Sequence, residues 1–251
     1  MAYLGKKGYS LLKTNLNAKE QQFIRDELTV KGYVPKSPVQ PEPFSIYRES
    51  PNKFYVPRYF GQDNFGEFNE NKIPQGDDID IEFAGDLREY QINIVNKYID
   101  YVKDSGGGLL DVDPGKGKTV MGLYIIAKLK KKTLVIVHKS FLLNQWIERI
   151  QQFLPTARVG KIQGQIIDIE NKDIVIGMLQ SLSQKEYPEN TFDSFGLSIY
   201  DETHHLGAEV FSRCMMKSIT NYTLGLSGTM QRKDGLTKVF KMFLGDIVHK
   251  E

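Results

Sequence analysis

From residue 87 onward, short apolar runs alternate with amphipathic stretches, and no other feature of the chain constrains its fold as strongly. TLVIVH (133–138) and IVIGM (174–178) are rich in β-branched residues and too short to be buried helices. Between them, FLLNQWIERIQQFL (141–154) carries apolar residues at helical spacing. Strands that are apolar on both faces and are separated by helices indicate a parallel sheet with helices on both sides. We therefore predict an α/β fold for residues 87–251.

Polar residues stand at the predicted carboxyl ends of several of these strands. They are Asp113, His138, Gln180, Asp201 and Ser227. In open parallel sheets, ligands bind beyond the carboxyl ends of the strands. We expect these residues to surround a ligand site at one edge of the sheet.

The turn DPGKGKT follows the first of these strands and precedes a predicted helix. Its predicted nucleotide-binding residues are Pro114, Gly115, Lys116, Gly117, Lys118 and Thr119. Backbone N–H groups and the helix N-terminus would hold phosphate, Lys118 would reach the β- and γ-phosphates, and the Thr119 hydroxyl would bind Mg²⁺. The first glycine of the G-x-x-x-x-G-K-[ST] pattern is replaced by Val112. Taken alone, the turn is equally well explained as a charged surface loop.

A second motif, DETHH (201–205), follows the apolar run LSIY. A carboxylate at a strand end can hold Mg²⁺, partly through water, and its neighbour can orient or deprotonate an attacking water. We assign these roles to Asp201 and Glu202, which with Lys118 are the predicted catalytic residues. A zinc site at His204 and His205 is disfavoured, because adjacent extended residues point apart and no Cys or His partners have ligand spacing.

Residues 1–60 differ in composition from the rest of the chain. They carry ten Lys or Arg against five Asp or Glu, together with ten aromatic residues. This mixture suits phosphate contact and base stacking, and it equally suits an aromatic core with a solvated basic surface. Asn17 and Glu20 predict the start of a short helix, while FSIYRES and KFYVPRYF predict two strands joined near Pro51. We predict a small α+β module that is a candidate for nucleic-acid binding.

The segment 61–86 carries eight acidic residues against one basic residue and shows little periodicity. Such a composition predicts a linker or a loosely packed arm. It separates the small module from residues 87–251.

Several conspicuous residues have simple structural explanations. Lys128, Lys130, Lys131 and Lys132 are expected to form a solvated helix C-terminus. Trp146, Cys214, Met215 and Met216 are expected to be packing residues. Arg58 in YVPRYFG could contact a phosphate or brace the small module, and the sequence does not choose between these roles.

The single cysteine, Cys214, excludes an internal disulfide framework. MAYLGKKGYS lacks the apolar middle section of a secretory signal, and no apolar stretch reaches the roughly 18 residues of a membrane span. We predict an intracellular, non-secreted protein without a membrane segment. The sequence does not indicate its oligomeric state.

Six segments resemble the ordered motifs Q, I, Ia, Ic, II and III of superfamily 2 helicases. They are LREYQ (87–91), PGKGKT (114–119), VHKSFLLNQW (137–146), MLQSL (178–182), DETHH (201–205) and LSGT (226–229). The DExH form and the neighbouring YVPRYFG are similar to the XPB and UvsW branch and to helicases of large DNA viruses. The resemblance implies a RecA-like domain over 87–251, a parallel sheet sandwiched by helices, that binds ATP and Mg²⁺. It also implies a nucleic-acid partner, with DNA favoured over RNA.

The resemblance implies roles for further residues. Adenine recognition would use Gln91 with Arg88 and Tyr90, since a Gln amide offers both a donor and an acceptor. Coupling of nucleotide state to nucleic acid is implied for His204, Ser227 and Thr229. Contact with the nucleic-acid backbone is implied for His138, Lys139, Gln180 and Ser181. A solvated helix start remains an alternative for Gln91 and Arg88, as does a polar helix cap for Gln180 and Ser181.

Helicases of this class hydrolyse ATP between two RecA-like domains, and the second domain supplies arginine fingers. The 251 residues have room for only one such domain, so the resemblance implies the N-terminal portion of a longer enzyme. Because arginine fingers contribute about 10³–10⁵ in rate, we expect weak nucleotide binding and little turnover here. The alternatives are a nucleic-acid or partner-binding module in which nucleotide acts only as a switch, and a small-molecule kinase with a P-loop.

Overall fold

The computed structural model describes residues 1–201, 207–228 and 237–251. Its helices are α1 (Ala18–Glu27), α2 (Arg58–Phe65), α3 (Glu89–Ser105), α4 (Lys118–Leu129), α5 (Ser140–Phe153), α6 (Leu179–Gln184), α7 (Ala208–Lys217) and α8 (Thr237–Leu244). The strands of the N-terminal part are β1 (Tyr3–Gly5), β2 (Gly8–Leu12), β3 (Thr29–Val30), β4 (Phe44–Ser45), β5 (Arg48–Glu49), β6 (Lys53–Val56) and β7 (Glu70–Asn71). The remaining strands are β8 (Gly107–Asp111), β9 (Thr133–Val137), β10 (Val159–Gln163), β11 (Ile166–Ile167), β12 (Ile174–Met178), β13 (Leu197–Asp201), β14 (Tyr222–Ser227) and β15 (Ile247–Lys250).

An eight-stranded sheet organises the larger part of the molecule, in the order β11-β10-β12-β9-β13-β14-β8-β15. Its neighbouring strands run parallel, except that the edge strand β11 is antiparallel to β10. The predicted strands and helices of 87–154 are present, as are those around 174–178, 197–201 and 208–227. The predicted α/β fold with a parallel sheet is therefore confirmed.

Alternate residues along the strands pack against different helices, which places the sheet between two helical layers. Leu110 and Val135 lie in one core with residues of α3, α4 and α5. Their neighbours Leu109 and Leu134 lie in a second core with residues of α6, α7 and α8. Because side chains alternate across a strand, continuous apolar runs are needed to fill both cores.

The N-terminal part forms a five-stranded sheet in the order β5-β6-β2-β1-β7, with α1 packed against it. The predicted helix start is confirmed, since Asn17 and Glu20 make a reciprocal capping box at α1. The hairpin of β1 and β2 was not predicted, because its strands are short and glycine-punctuated. The strands β5 and β6 pair around Pro51 as expected, but the predicted strand FSIYRES is divided into β4, which pairs with β3, and β5.

The prediction that KFYVPRYF is one strand was wrong at its end. The strand β6 stops at Val56, and α2 begins at Arg58 directly after Pro57. Packing explains this change, because a Cβ added at Gly61 in α2 would lie 2.2 Å from Cγ of Tyr9. Only a glycine lets the helix approach the sheet this closely.

The segment 61–86 is not loosely packed, contrary to the prediction. Ile73, Ile79 and Ile81 are buried, and β7 pairs in parallel with β1. The Ile79 N–H donates to the carbonyl of Lys130, and Asp78 forms a 2.7 Å ion pair with Lys131. Ile79 and Ile81 lie in a core of the large sheet, whereas Ile73 lies in the core of the small sheet, so apolar burial holds this acidic segment against both.

The lysine run after α4 is only partly solvated, so that prediction was wrong for Lys132. This side chain is buried, and its Nζ donates to the carbonyl of Ile169 at 2.8 Å and lies over the Phe195 ring. Burial lowers the pKa of Lys132 below its ordinary value. Cys214 and Met215 are buried among apolar side chains, as predicted.

The small N-terminal sheet and the large sheet domain share a core. Leu4 and Tyr9 cluster with Val239 and Met242 of α8. Arg58 braces this junction, because its Nη1 donates to the Asn221 carbonyl at 3.1 Å and its guanidinium lies over two aromatic rings. The division at residues 60 and 86 stays a prediction, and the packing joins the parts on both sides of it. No helix in the described ranges is long and apolar enough to cross a membrane.

Candidate nucleotide and nucleic-acid site

The glycine-lysine turn leads from the carboxyl end of β8 into α4. Gly115 and Gly117 have φ angles of 83° and 84°, in the left-handed region that glycine adopts without strain. No described atom would lie within 4 Å of a Cβ added at Gly115, so the turn is open on that side. Lys118 is the first residue of α4, and its Nζ lies 3.4 Å from the carbonyl of Val112. The turn therefore presents a helix N-terminus and an ammonium group together, which suits an anionic ligand.

The first turn of α3 packs directly on this loop. Gln91 Nε2 and the Tyr90 hydroxyl both donate to the carbonyl of Lys116, at 2.9 and 3.0 Å. The Gln91 Oε1 accepts from the backbone N–H of Arg88 at 2.9 Å. A Cβ added at Gly117 would lie 2.4 Å from Gln91 Nε2, so a side chain there would displace the Gln91 amide.

These contacts limit how Gln91 could recognise adenine. One amide hydrogen and one lone pair of Gln91 are engaged by Lys116 and Arg88. The amide can contact a base only through its second hydrogen and its second lone pair. Adenine recognition by Arg88, Tyr90 and Gln91 stays a prediction.

Asp201 ends β13, and its carboxylate is buried. The Trp146 indole Nε1 donates to Asp201 Oδ2 at 2.8 Å. On its other side, the Trp146 ring faces α4, since a Cβ added at Gly122 would lie 3.1 Å from Cη2 of the indole. The same ring thus touches the helix that begins with Lys118 and the carboxylate at the end of β13.

The predicted phosphate and metal residues converge on one edge of the large sheet. Strands β8, β14 and β13 are neighbours, and Lys118, Ser227 and Asp201 lie at or just beyond their carboxyl ends. A Cβ added at Gly228 would lie 3.2 Å from Lys118 Nζ, which places the end of β14 beside the glycine-lysine turn. Three predicted residues of this group, Glu202, His204 and Thr229, lie outside the described residues.

The predicted nucleic-acid residues form a second group on the same edge. His138 and Lys139 follow β9, while Gln180 and Ser181 follow its neighbour β12. Gln180 Nε2 donates to the carbonyl of His138 at 2.9 Å. The Ser181 Oγ accepts from the backbone N–H of Gly164 at 3.0 Å, in the turn between β10 and β11. Gln180 and Ser181 therefore join neighbouring loops, and no described side chain caps α6.

The oxygen groups at the first site fit a magnesium ion bound together with a nucleotide. Mg²⁺ prefers oxygen ligands and is usually held by one or two protein groups, substrate phosphates and water. Thr119 and Asp201 offer a hydroxyl and a carboxylate at the same sheet edge. Within the described part of the chain, no three His, Cys, Asp or Glu side chains gather into a metal site of their own. Phosphates and water would complete the coordination shell of an Mg²⁺ ion held by Thr119 and Asp201.

The hydrogen bond from Trp146 to Asp201 was not predicted, because Trp146 was expected to be a packing residue. Trp146 is buried as expected, but its N–H reaches a carboxylate 55 positions further along the chain. No local pattern indicates which partner an indole N–H finds, because that depends on how helix and strand are brought together.

Residues 84–232 match the family described as ResIII, the type III restriction enzyme res subunit. This match covers more than half of the chain and includes both the glycine-lysine turn and Asp201. The chain belongs to the ResIII family. Membership confirms the predicted resemblance to superfamily 2 helicases and leaves little support for a small-molecule kinase.

Relatives of this ResIII chain are named as helicases and translocases. A protein of Acanthamoeba polyphaga mimivirus, named "Putative ATP-dependent RNA helicase L396", is 35% identical over 97% of this chain. The DNA 3'-5' translocase XPB2 of Sulfurisphaera tokodaii is 30% identical over 66% of this chain. The alignments cover 48% and 36% of those two proteins, so the chain spans at most about half their length.

Solved structures show the same fold. The structure of the UvsW helicase from bacteriophage T4 aligns over 93% of this ResIII chain and 94% of its own, with 17% identity and a TM-score of 0.65. The SWI2/SNF2 ATPase core of Sulfolobus solfataricus, solved with double-stranded DNA, aligns over 67% of this chain and 37% of its own, with 22% identity and a TM-score of 0.53. These likenesses confirm the RecA-like fold.

Proposed function

We propose that this chain binds Mg–ATP at the edge of its eight-stranded sheet and forms the nucleotide-binding part of a helicase or translocase acting on nucleic acid. The observation that carries the proposal is the convergence of the glycine-lysine turn and Asp201 at the ends of neighbouring strands. Membership of the ResIII family supports it, because relatives are named as helicases and as a DNA translocase. We also retain the expectation of an intracellular protein.

In this proposal each residue contributes one physical function. Backbone N–H groups of the turn and the N-terminus of α4 bind phosphate oxygens, and Lys118 neutralises the β- and γ-phosphates. Thr119 and Asp201 hold Mg²⁺, which would offset the charge of the phosphates when bound. Glu202 orients the attacking water and accepts its proton. Ser227, with His204 and Thr229, couples nucleotide state to the nucleic-acid path.

The family resemblance adds a second RecA-like domain as a partner, and that domain would supply an arginine finger. We therefore expect the 251-residue chain to bind Mg–ATP weakly and to release phosphate slowly, because such a finger contributes about 10³–10⁵ in rate. Calorimetric titration and a phosphate-release assay, each with and without DNA, measure the two properties. Fast phosphate release that rises with added DNA would contradict the expectation of little turnover.

The second candidate function is a binding module in which nucleotide acts only as a switch. The same phosphate and magnesium contacts would serve it, so binding alone does not distinguish the two functions. They differ in whether Glu202 performs chemistry, so the rate of ATP hydrolysis after Glu202→Gln separates them.

For the nucleic-acid contact of the N-terminal part, we propose one face of the five-stranded sheet. Arg48, Tyr55, Ser10 and Tyr3 are paired in register across β5, β6, β2 and β1, so their side chains share a face. The neighbouring row, which includes Tyr9 and Leu4, faces the buried core instead. We call the first of these surfaces the tyrosine face.

Lysines are held over the two aromatic rings of the tyrosine face. Lys72 lies over the Tyr3 ring, at 4.5 Å from its centroid, and Lys53 Nζ donates to the Tyr3 hydroxyl at 3.0 Å. Lys7 lies over the Tyr55 ring at 5.1 Å. With Arg48 the face carries four cations, and ammonium groups held near flat rings suit a strand that offers phosphates and bases.

Salt-dependent binding of labelled single-stranded DNA to the full chain tests the tyrosine face. The substitution Lys53→Ala should reduce the magnitude of the slope of log affinity against log salt by about 0.7 to 1, because one phosphate contact is lost. Tyr55→Ala should cost about 1–3 kcal/mol of binding if a base stacks on the ring. Lys19→Ala, an exposed lysine on α1, is the matched control and should leave the slope unchanged.

Equal slopes for the wild-type chain, the Lys53 variant and the Lys19 variant would exclude the tyrosine face as a phosphate contact. The same titration with RNA of matching sequence addresses the substrate. The printed names of the relatives differ on this point, since one refers to RNA and another to DNA. We propose DNA, and tighter binding of RNA at equal salt would contradict that choice.

A further inference from the structure

A buried tryptophan needs an acceptor for its indole N–H, and the acceptor of Trp146 is the carboxylate of Asp201. The Trp146 side chain is buried on α5 in the core that also contains Leu110 and Val135, and its Nε1 donates to Asp201 Oδ2 at 2.8 Å. An indole N–H is a donor only, and a hydrogen bond to a carboxylate is stronger than one to a neutral acceptor. The Asp201 carboxylate is therefore held by a rigid ring from a neighbouring helix.

The opposite edge of the same ring rests on the helix of the glycine-lysine turn. A Cβ added at Gly122 would lie 3.1 Å from Cη2 of Trp146, which is tight for two atoms that do not bond. Gly122 lies four residues after Lys118, one turn along α4. The indole thus fills the space between α4 and the carboxylate at the end of β13.

We propose that Trp146 is a positioning residue for the Mg–nucleotide site. Its N–H fixes the orientation of the Asp201 carboxylate, and its ring sets the spacing between α4 and β13. Both effects are needed for Thr119 and Asp201 to reach the same ion. This inference rests on the proposed nucleotide-binding function and adds a residue that does not itself touch the ligand.

A hydrogen bond to a metal-binding carboxylate fixes the rotamer of its side chain and determines which of its oxygens can bind the ion. Removing such an outer partner typically lowers metal affinity by about 10-fold to 100-fold. Phosphate binding by the glycine-lysine turn does not use the carboxylate. Removing the indole N–H of Trp146 should therefore lower nucleotide affinity when Mg²⁺ is present and leave the affinity without Mg²⁺ unchanged.

The first test is Trp146→Phe in the full chain, which keeps a flat apolar ring and removes the N–H. ADP affinity is measured by calorimetry with Mg²⁺ and again with EDTA. We expect affinity with Mg²⁺ to fall by about 10-fold to 100-fold and affinity in EDTA to stay at the wild-type value. Equal losses in both conditions would show that Trp146 acts through packing alone, and no loss in either would remove its role; both results overturn the inference.

Tyr98→Phe is the matched control for a lost buried donor. Tyr98 belongs to the same hydrophobic core, and its hydroxyl donates to the carbonyl of Thr223 at 2.6 Å. This variant also removes one hydrogen bond from a buried aromatic side chain, but none from Asp201. We expect it to lower the melting temperature without changing the ratio of ADP affinities with and without Mg²⁺.

A second measurement needs no substitution, because Trp146 is the only tryptophan in the chain. The fluorescence emission wavelength of an indole depends on the charge and hydrogen bonding at its N–H. The emission of Trp146 should therefore shift when a cation binds the Asp201 carboxylate. We expect a shift in emission with Mg²⁺ and ADP together and none with ADP in EDTA. Unchanged emission, while calorimetry shows Mg–ADP bound, would overturn the inference even if the phenylalanine variant does not fold.

The outcomes separate this inference from the function on which it rests. If the wild-type chain binds no ADP under any condition, the proposed nucleotide site is wrong. If the wild-type chain binds Mg–ADP and Trp146→Phe binds it equally well, only the positioning role is wrong.

Discussion

Replacing Lys118 by alanine is expected to remove most of the affinity of this chain for Mg–ATP. A charge-assisted hydrogen bond contributes about 1.5–3 kcal/mol, and each 1.4 kcal/mol is about tenfold in binding, so the loss should be about 10-fold to 100-fold. The physical reason is that Lys118 is the first residue of α4 and stands where phosphate would meet the helix N-terminus. Calorimetric titration of the variant with Mg–ATP measures the effect.

Lys128→Ala provides the control for the Lys118 variant. Lys128 is an exposed lysine in the last turn of the same helix, and its Nζ lies over the Tyr124 ring. The control removes one positive charge from α4 far from the turn, so binding should stay at the wild-type value. Wild-type affinity in the Lys118 variant, with a normal melting curve, would end the phosphate-binding interpretation of DPGKGKT.

Glu202→Gln is expected to stop hydrolysis while leaving nucleotide binding intact. General-base catalysis contributes about 10²–10⁴ in rate, so the single-turnover rate should fall by that factor. The glutamine keeps the size of the side chain and can still orient a water, but it cannot accept a proton. Phosphate release is measured with protein in excess over ATP, so that even a slow wild-type rate can be followed.

Glu209→Gln is the matched control, since Glu209 lies seven residues after Glu202 in the sequence, in the first turn of α7, and pairs with Arg213. The single-turnover rate of phosphate release from the Glu209→Gln variant should equal that of the wild-type chain. If Glu202→Gln hydrolyses ATP at the wild-type rate, Glu202 is not the base, and the switch function becomes the better explanation. A variant that loses nucleotide binding as well would indicate that Glu202 holds the site together.

Local sequence patterns were sufficient for the five central strands of the large sheet, β8, β9, β12, β13 and β14, but not for β10, β11 and β15. Runs such as TLVIVH are apolar at every position because both faces of the sheet are covered, and this pattern is visible without a structure. The helices were recognisable for the same reason, and Asn17 and Glu20 specified the start of α1 through contacts four positions apart or fewer. These features depend on neighbours in the chain.

The N-terminal part and its connection were harder to predict. The short strands β1 and β2 contain glycine and few alternating apolar residues, so they carry little strand signal. Part of the predicted strand KFYVPRYF belongs to α2, which follows Pro57. This helix packs against Tyr9 through Gly61, and that contact joins segments far apart in sequence. The acidic composition of 61–86 predicted a loosely packed segment, but its three isoleucines are buried against residues from other parts of the chain.

Sequence by itself determined the α/β class, the order of the motifs and the placement of polar residues at strand ends. These properties follow from periodicity and from short motifs, in which each residue is read together with its immediate neighbours. The tertiary structure alone decided that Gln91 and Tyr90 hold the carbonyl of Lys116, and that Trp146 holds Asp201. Hydrogen-bond partners of buried donors are chosen by how helices and strands pack, and packing depends on residues distant along the chain.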